Sequence, residues 1–310
     1  MKTIWSSLKP YLRWVILGGT LFFLAKAFKE HWQDVAAIRI DAAGWTTLFI
    51  AFSITLLAHI WAGLVWAWIL RSLHQPIQYR WLLQVYLKTN IAKYLPGNVW
   101  HYYGRIWAVT KAGGSLSAAT ISVLLEPLLM AAAALLIALT GSQLGWLHIP
   151  GNHQFWGLQL LGLAGVLLGV HPRLLNPMLQ LLRRLKGKSD DTQGVQIDRY
   201  PFLPLLGELG FLGLRGTGFF VTFFALTTID PSQIPLLLSA FSLSWVLGLV
   251  IPTPGGLGVF ETTAIALLNP YFPIGVILSV VALFRLVSIL AEVVGAGAGV
   301  ISDRGSIPHG

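Results

Sequence analysis

Long apolar runs, rather than alternating or one-faced patterns, organise this chain. A helix that crosses a bilayer needs about 20 mostly apolar residues. Runs of that kind predict six spans: Tyr11 to Phe28, Ala43 to Leu70, Leu116 to Thr140, Phe155 to Val170, Phe202 to Leu226 and Ile274 to Ile301. The first follows Lys2, Lys9 and Arg13 as a signal peptide would, yet no small-residue cleavage site comes after it, so it reads as a retained span. Two further apolar regions, 81–108 and 234–269, are each broken in the middle by Pro-Gly. The stretch Arg173 to Arg199 is the one sizeable polar loop, within a cytoplasmic basic segment at about 171–200.

Composition removes the soluble alternatives. Hydrophobic residues make up 55% of the 310 and charged residues 11%, with a mean hydropathy of +0.70. A soluble domain is roughly a quarter charged. The chain therefore reads as one integral membrane domain over 1–310, an all-α polytopic protein with little mass outside the bilayer. A formal charge of +9 fits basic loops on an anionic cytoplasmic leaflet, with no nucleic acid implied. The absence of cysteine excludes disulfides, thiolate zinc sites and iron–sulfur ligation. No metal spacing and no nucleotide fingerprint is present, and no cofactor is expected.

Basic residues set the expected orientation. With the spans alternating, sixteen Lys and Arg fall on one side and three (Lys26, Lys29, Arg39) on the other, while Arg215 and Arg285 lie within spans. By the positive-inside rule both termini are cytoplasmic, in the cell membrane. Residues 71–80 and Lys111 then share the cytoplasmic side, so the segment between them enters and leaves by one face. Its arms, Trp81 to Tyr94 and Asn98 to Lys111, are 14 residues each, about 21 Å of helix, short of a roughly 30 Å core. The region 234–269 enters and leaves from the opposite face. Both read as re-entrant hairpins, and span–hairpin–span then repeats upside down, the inverted-repeat plan of secondary transporters. The competing reading makes the Pro-Gly pairs ordinary turns between packed spans.

The two breaks carry the candidate chemistry. In the first, Pro96 stops a helix, Gly97 permits the turn and Asn98 is a good N-cap for the returning half-helix. In the second, Thr253, Gly255 and Gly256 precede a helix start that carries Glu261 in its first turns. Half-helix starts at depth present free N–H groups and a positive dipole end to anions. Lys93 and Arg105 flank the first break, where a phosphate would sit. Charges inside spans are functional candidates by default: Glu126 before Pro127, Glu208 and Arg215 seven apart, and Arg285 and Glu292 at the same spacing. Each spacing puts two residues on one helix face, so that the members pair indirectly. Structural ion pairs tying spans together are the alternative to a headgroup site.

Weaker features accompany these. His101 lies among Trp100, Tyr102 and Tyr103, either a headgroup contact or part of an interfacial aromatic belt. His59 stands alone in the second span. Glycines 207, 210, 213 and 216, and the run Gly295 to Gly299, read as small faces for close helix packing.

Leu95-Pro96-Gly97-Asn98-Val99-Trp100 with Gly104-Arg105, Glu126, and above all Pro252-Thr253-Pro254-Gly255-Gly256-Leu257-Gly258-Val259-Phe260-Glu261 resemble the transmembrane family of lysylphosphatidylglycerol synthases. The resemblance covers most of the chain. It implies the membrane part associated with flipping an aminoacylated lipid. The sequence ends at Gly310 without the soluble aminoacyl-transferase domain, so the synthase chemistry is not carried over.

The function expected is a lipid transporter or flippase that moves a phospholipid or lipid-linked headgroup through a midplane polar cavity. Its partners would be membrane lipids: an anionic or aminoacylated phospholipid, or a lipid-linked sugar. Two alternatives stand beside it. One is a membrane-embedded transferase on a lipid or polyprenyl phosphate. The other is a non-catalytic membrane partner of a separate soluble transferase, docked on the basic run Arg183 to Lys188. No catalytic constellation is apparent.

Overall fold

The computed structural model describes residues 39–94, 99–147, 152–177, 197–251 and 258–304, and its described elements are all helices. In chain order these are α1 (Ala42–Ser72), α2 (Tyr79–Asn90) with a 3-10 turn Ile91–Tyr94, α3 (Trp100–Lys111), α4 (Leu116–Gln143) and α5 (Asn152–Gly169). Then follow α6 (Phe202–Phe224), a 3-10 turn Pro231–Gln233 leading into α7 (Ile234–Val250), α8 (Val259–Leu268) and α9 (Ile274–Arg304). The first predicted span, Tyr11 to Phe28, both Pro-Gly breaks and the basic run 183–188 lie outside the described residues.

Local signals set the helix starts. Asp41 accepts the Gly44 amide at 2.7 Å and Ser115 accepts that of Ala118 at 3.4 Å, each satisfying a donor the helix cannot. At the turn before α7, the Ser232 hydroxyl and amide both donate to Asp230 at 2.6 and 2.8 Å, and these bonds hold the exposed carboxyl below its ordinary range.

Among the described residues, four helical stretches are long and apolar enough to cross a membrane: Ala42–Ser72, Leu116–Gln143, Pro231–Val250 and Ile274–Ser302. Three coincide with expected spans. The fourth differs from expectation: the first arm of the outer broken region, with its leading turn, is 20 residues, about 30 Å, the full thickness of a hydrocarbon core. By contrast α2 and α3 are 12 residues each, about 18 Å. The predicted span at Phe202 to Leu226 is present as the 23-residue α6, with Glu208 and Arg215 along it. Large apolar side chains such as Phe49, Leu57, Leu161 and Ile301 remain exposed on the bundle's outside, as a lipid-facing surface requires.

Packing relates the two halves. α1 packs most extensively on α6. α2 lies against α9 in the other half, and α7 lies reciprocally against α4. Exchanging α1, α2, α3 and α4 for α6, α7, α8 and α9 carries every other substantial contact among these helices onto another: α1–α9 onto α6–α4, α1–α4 onto α6–α9, α3–α4 onto α8–α9. Only α5, which packs on α4, stands outside the scheme.

On the central α1–α6 seam, glycines of α6 receive side chains of α1. A Cβ on Gly207 would meet Val65 Cγ2 at 2.7 Å, and one on Gly218 would meet Thr55 Oγ1 at 2.6 Å. Trp61 Nε1 donates to the Gly207 carbonyl at 2.8 Å. Glycines that admit a neighbouring helix this closely are a usual means of helix association in lipid. Gly213 and Gly297 depart from the expected small faces, since a Cβ there would meet nothing within 4 Å. Beside the seam, Phe219 packs edge-on against Phe260 and Phe284 and obliquely against Phe241, with centroids 5.3 to 5.8 Å away, locking α6 to α7, α8 and α9.

Candidate functional site

Among the described residues, Lys and Arg side chains in the bundle interior form three ion pairs with carboxylates of other elements. In α3, Arg105 Nη1 lies 2.6 Å from Glu126 Oε2 on α4. Tyr86 donates to the other Glu126 oxygen at 2.8 Å, while the Arg105 guanidinium lies 3.8 Å from the Tyr86 ring centroid. Its Nε donates to Thr89 Oγ1 at 3.4 Å. Pro127, next in α4, has no N–H for the Val123 carbonyl, so the helix is weakened beside this carboxylate.

In the second half, Arg285 Nε on α9 donates to Glu261 Oε1 on α8 at 2.6 Å. The other Glu261 oxygen accepts the Gly258 amide at 2.5 Å, closing the start of α8 with a negative charge at the positive end of its dipole. Gly258 has φ of 87°, a conformation that favours glycine. This pair is the counterpart of Arg105–Glu126 with the signs exchanged. Glu126 and Arg285 occupy nearly the same position along α4 and α9, and each meets the short helix that precedes its own.

The third pair joins the halves. Lys93 Nζ, in the turn after α2, lies 2.6 Å from Glu292 Oε1 on α9, and His59 Nε2 from α1 is 3.3 Å from the same oxygen.

The expected pairing along single helices does not occur. Arg215 donates from Nη1 to Ser288 Oγ at 3.1 Å and packs on the rings of Phe284 and Trp245, with centroids 4.8 and 5.2 Å away. Glu208 is 0% exposed, and neither of its oxygens has a hydrogen-bond partner among the described residues. Arg285 and Glu292 each turn to a different partner instead of to each other. The reason is geometric: seven residues separate the members of each set by about 10.5 Å along the axis, beyond the reach of an ion pair without other side chains between.

A cavity of about 160 Å³ lies among these groups. Lys93, Arg105, Arg215 and Arg285 line it, and so does Glu126. Glu261, Glu292 and Glu208 do not reach its wall. Further polar lining comes from His59, Tyr86, Asn90, His101 and Tyr102, and the remainder is apolar, including Met130, Trp245, Phe260 and Phe284. His101 is buried with its ring 3.8 Å from that of Tyr102, facing the interior and not an aromatic belt at the surface. Of the sequence-predicted site residues, the structure thus gathers Lys93, Arg105, Glu126, Arg215 and Arg285 at one wall. It keeps Glu261 and Glu292 behind their basic partners. Pro96, Gly97, Asn98, Thr253, Gly255 and Gly256 lie outside the described residues.

Sequence reasoning missed Tyr86, Trp245, Phe284 and Ser288. Tyr86 lies seven residues before Lys93 and Ser288 three after Arg285, so helical spacing from a charged residue was a usable signal for both. Trp245 and Phe284 sit in uninterrupted apolar runs and carried none.

An all-helical bundle with apolar membrane-crossing helices, an apolar exterior and a charged internal cavity defines an integral membrane protein. The sequence matches the family described as lysylphosphatidylglycerol synthase TM region over residues 12–295, and the chain belongs to that family. No curated protein matches it.

Proposed function

We propose that this protein moves a lipid headgroup between the leaflets of the cell membrane through the internal cavity, with the acyl chains left in the bilayer. The observation that carries this reading is the cavity's wall: four basic side chains and one carboxylate beside aromatic and aliphatic groups, inside an otherwise apolar bundle. Buried charge is costly in such a place and marks substrate pathways by default. The family's description names a lipid, lysylphosphatidylglycerol, which favours a lipid over a soluble solute.

The reciprocal packing of the halves supports the inverted repeat. In this reading α2–α3 is a re-entrant hairpin from the cytoplasmic face and α7–α8 its counterpart from outside, with a longer first arm, and both termini are cytoplasmic. The cavity, lined by described residues of both broken regions, then sits near the midplane, where such transporters bind.

The test is translocation of headgroup-labelled phosphatidylglycerol in proteoliposomes, read by quenching of outer-leaflet label. The purified protein is expected to accelerate exchange over protein-free vesicles. The double variant Arg285→Gln/Glu261→Gln, which leaves no lone buried charge, is expected to lose most of that rate while remaining monodisperse. Exchange no faster than in empty vesicles sinks the transport reading.

A further inference from the structure

Four cations surround the cavity, and three of them already hold a carboxylate at 2.6 Å: Lys93 holds Glu292, Arg105 holds Glu126 and Arg285 holds Glu261. Arg215 is the exception. Among the described residues it meets no carboxylate within ion-pair distance; its bond is to the neutral Ser288 hydroxyl, and its Nε has no partner. Glu292 lies within electrostatic reach, but its Oε1 is taken by Lys93 and its Oε2 makes no hydrogen bond among the described residues, to Arg215 or to any other. Glu208, two turns back on the same helix, does not line the cavity. Arg215 is only 4% exposed, so bulk water does not solvate its charge either.

Such a guanidinium is held in place by its surroundings. Phe284 and Trp245 present ring faces at 4.8 and 5.2 Å, which attract the cation without neutralising it. An unpaired cation inside a membrane bundle is costly, and where it faces a cavity it marks a substrate or ion path. The planar fork suits bidentate contact with phosphate oxygens. The volume is adequate: about 160 Å³, against the roughly 15 Å³ that one water needs.

We infer that Arg215 is the anion subsite of the cavity and that its ligand is the phosphate of a lipid headgroup, seated against Trp245 and Phe284. This assignment rests on the transport reading for its lipid, but the anion subsite stands or falls separately. Arg105 and Glu126 become wall and not ligand, because each already satisfies the other. The cavity would accordingly discriminate by phosphate: phosphatidic acid and phosphatidylglycerol bind, and diacylglycerol does not.

Binding to the detergent-purified full chain, measured by calorimetry and by tryptophan fluorescence, tests this with three water-soluble probes. These are dihexanoyl phosphatidic acid, dihexanoylglycerol and inorganic phosphate. The expected result is saturable binding of the first, none of the second and at least tenfold weaker binding of the third. Arg215→Gln should weaken phosphatidic acid binding at least about tenfold, with Arg215→Lys in between because it keeps the charge and loses the fork. If Arg215→Gln does not yield folded protein, the Arg215→Lys comparison decides, and unchanged affinity overturns the subsite. Equal binding of dihexanoylglycerol, or wild-type affinity in Arg215→Gln, also overturns it. Inorganic phosphate binding as tightly as the lipid overturns the lipid as its source. Phosphate-selective binding without any translocation would instead remove the transport reading and leave the subsite standing.

Discussion

Lys93 Nζ lies 2.6 Å from Glu292 Oε1 across 199 residues of sequence, tying the end of the first half's broken segment to the final helix of the second. Two turns earlier on that helix, Arg285 holds Glu261 at the start of α8. α9 therefore grips both broken regions, one by its carboxylate and one by its guanidinium. A displacement of α9 along its axis strains both contacts together.

If this linkage serves transport, Lys93 and Glu292 are coupled. Lys93→Gln and Glu292→Gln are each expected to slow translocation at least tenfold. The double variant should be no slower than the worse single, a coupling of about 1–3 kcal/mol. Strictly additive losses in a double-mutant cycle of exchange rates would contradict the linkage.

Arg105 and Glu126 offer a stability test. Removing one partner of a buried pair strands a charge and costs about 3–5 kcal/mol, whereas removing both costs much less. Glu126→Gln alone should melt well below wild type in detergent. Arg105→Gln/Glu126→Gln should recover most of the difference. A double variant less stable than the single would show that the pair is not the relevant contact.

The glycine seam predicts opposite outcomes for neighbouring glycines. Gly207→Ala forces Val65 and Trp68 to shift and should destabilise by about 1–3 kcal/mol. Gly213→Ala meets open space and should be neutral or stabilising by up to about 1 kcal/mol, since alanine is the better helix former. Thermal melts of the two variants check this directly.

Orientation is open to labelling because the chain has no cysteine of its own. Single cysteines at His74 and Asp198, whose side chains are exposed and 3.5 Å apart, should react with a membrane-impermeant thiol reagent from the cytoplasmic side only. Cysteines at Trp146 and Asp230 should react from outside only. Labelling of both sets from one side would reject the alternating topology.

Helices were readable in the sequence wherever burial in lipid leaves a long apolar run. The expected spans at Ala43, Leu116, Phe202 and Ile274 fall within one residue of the observed helix starts. Their partners were not readable. A spacing of seven puts Glu208 and Arg215 on one face, but an ion pair needs atoms within about 4 Å, which only tertiary packing supplies. That Lys93 meets Glu292 depends on how α2 lies along α9, and no local pattern records it. The second broken region reads from its Pro-Gly break as a pair of half-helices, whereas its first arm with the leading turn, Pro231–Val250, is long and apolar enough to cross a membrane.

The glycine-lined contact of α1 with α6 bears on what is free to move. Where Val65 and Trp68 of α1 sit directly on Gly207 of α6, with the Trp61 N–H bonded to its carbonyl, the two helices have little room to slide past one another. In the proposed transport reading, opening the cavity first to one leaflet and then to the other would leave α1 and α6 together and move α2–α3 and α7–α8 about them, so that the glycine-lined contact serves as a fulcrum.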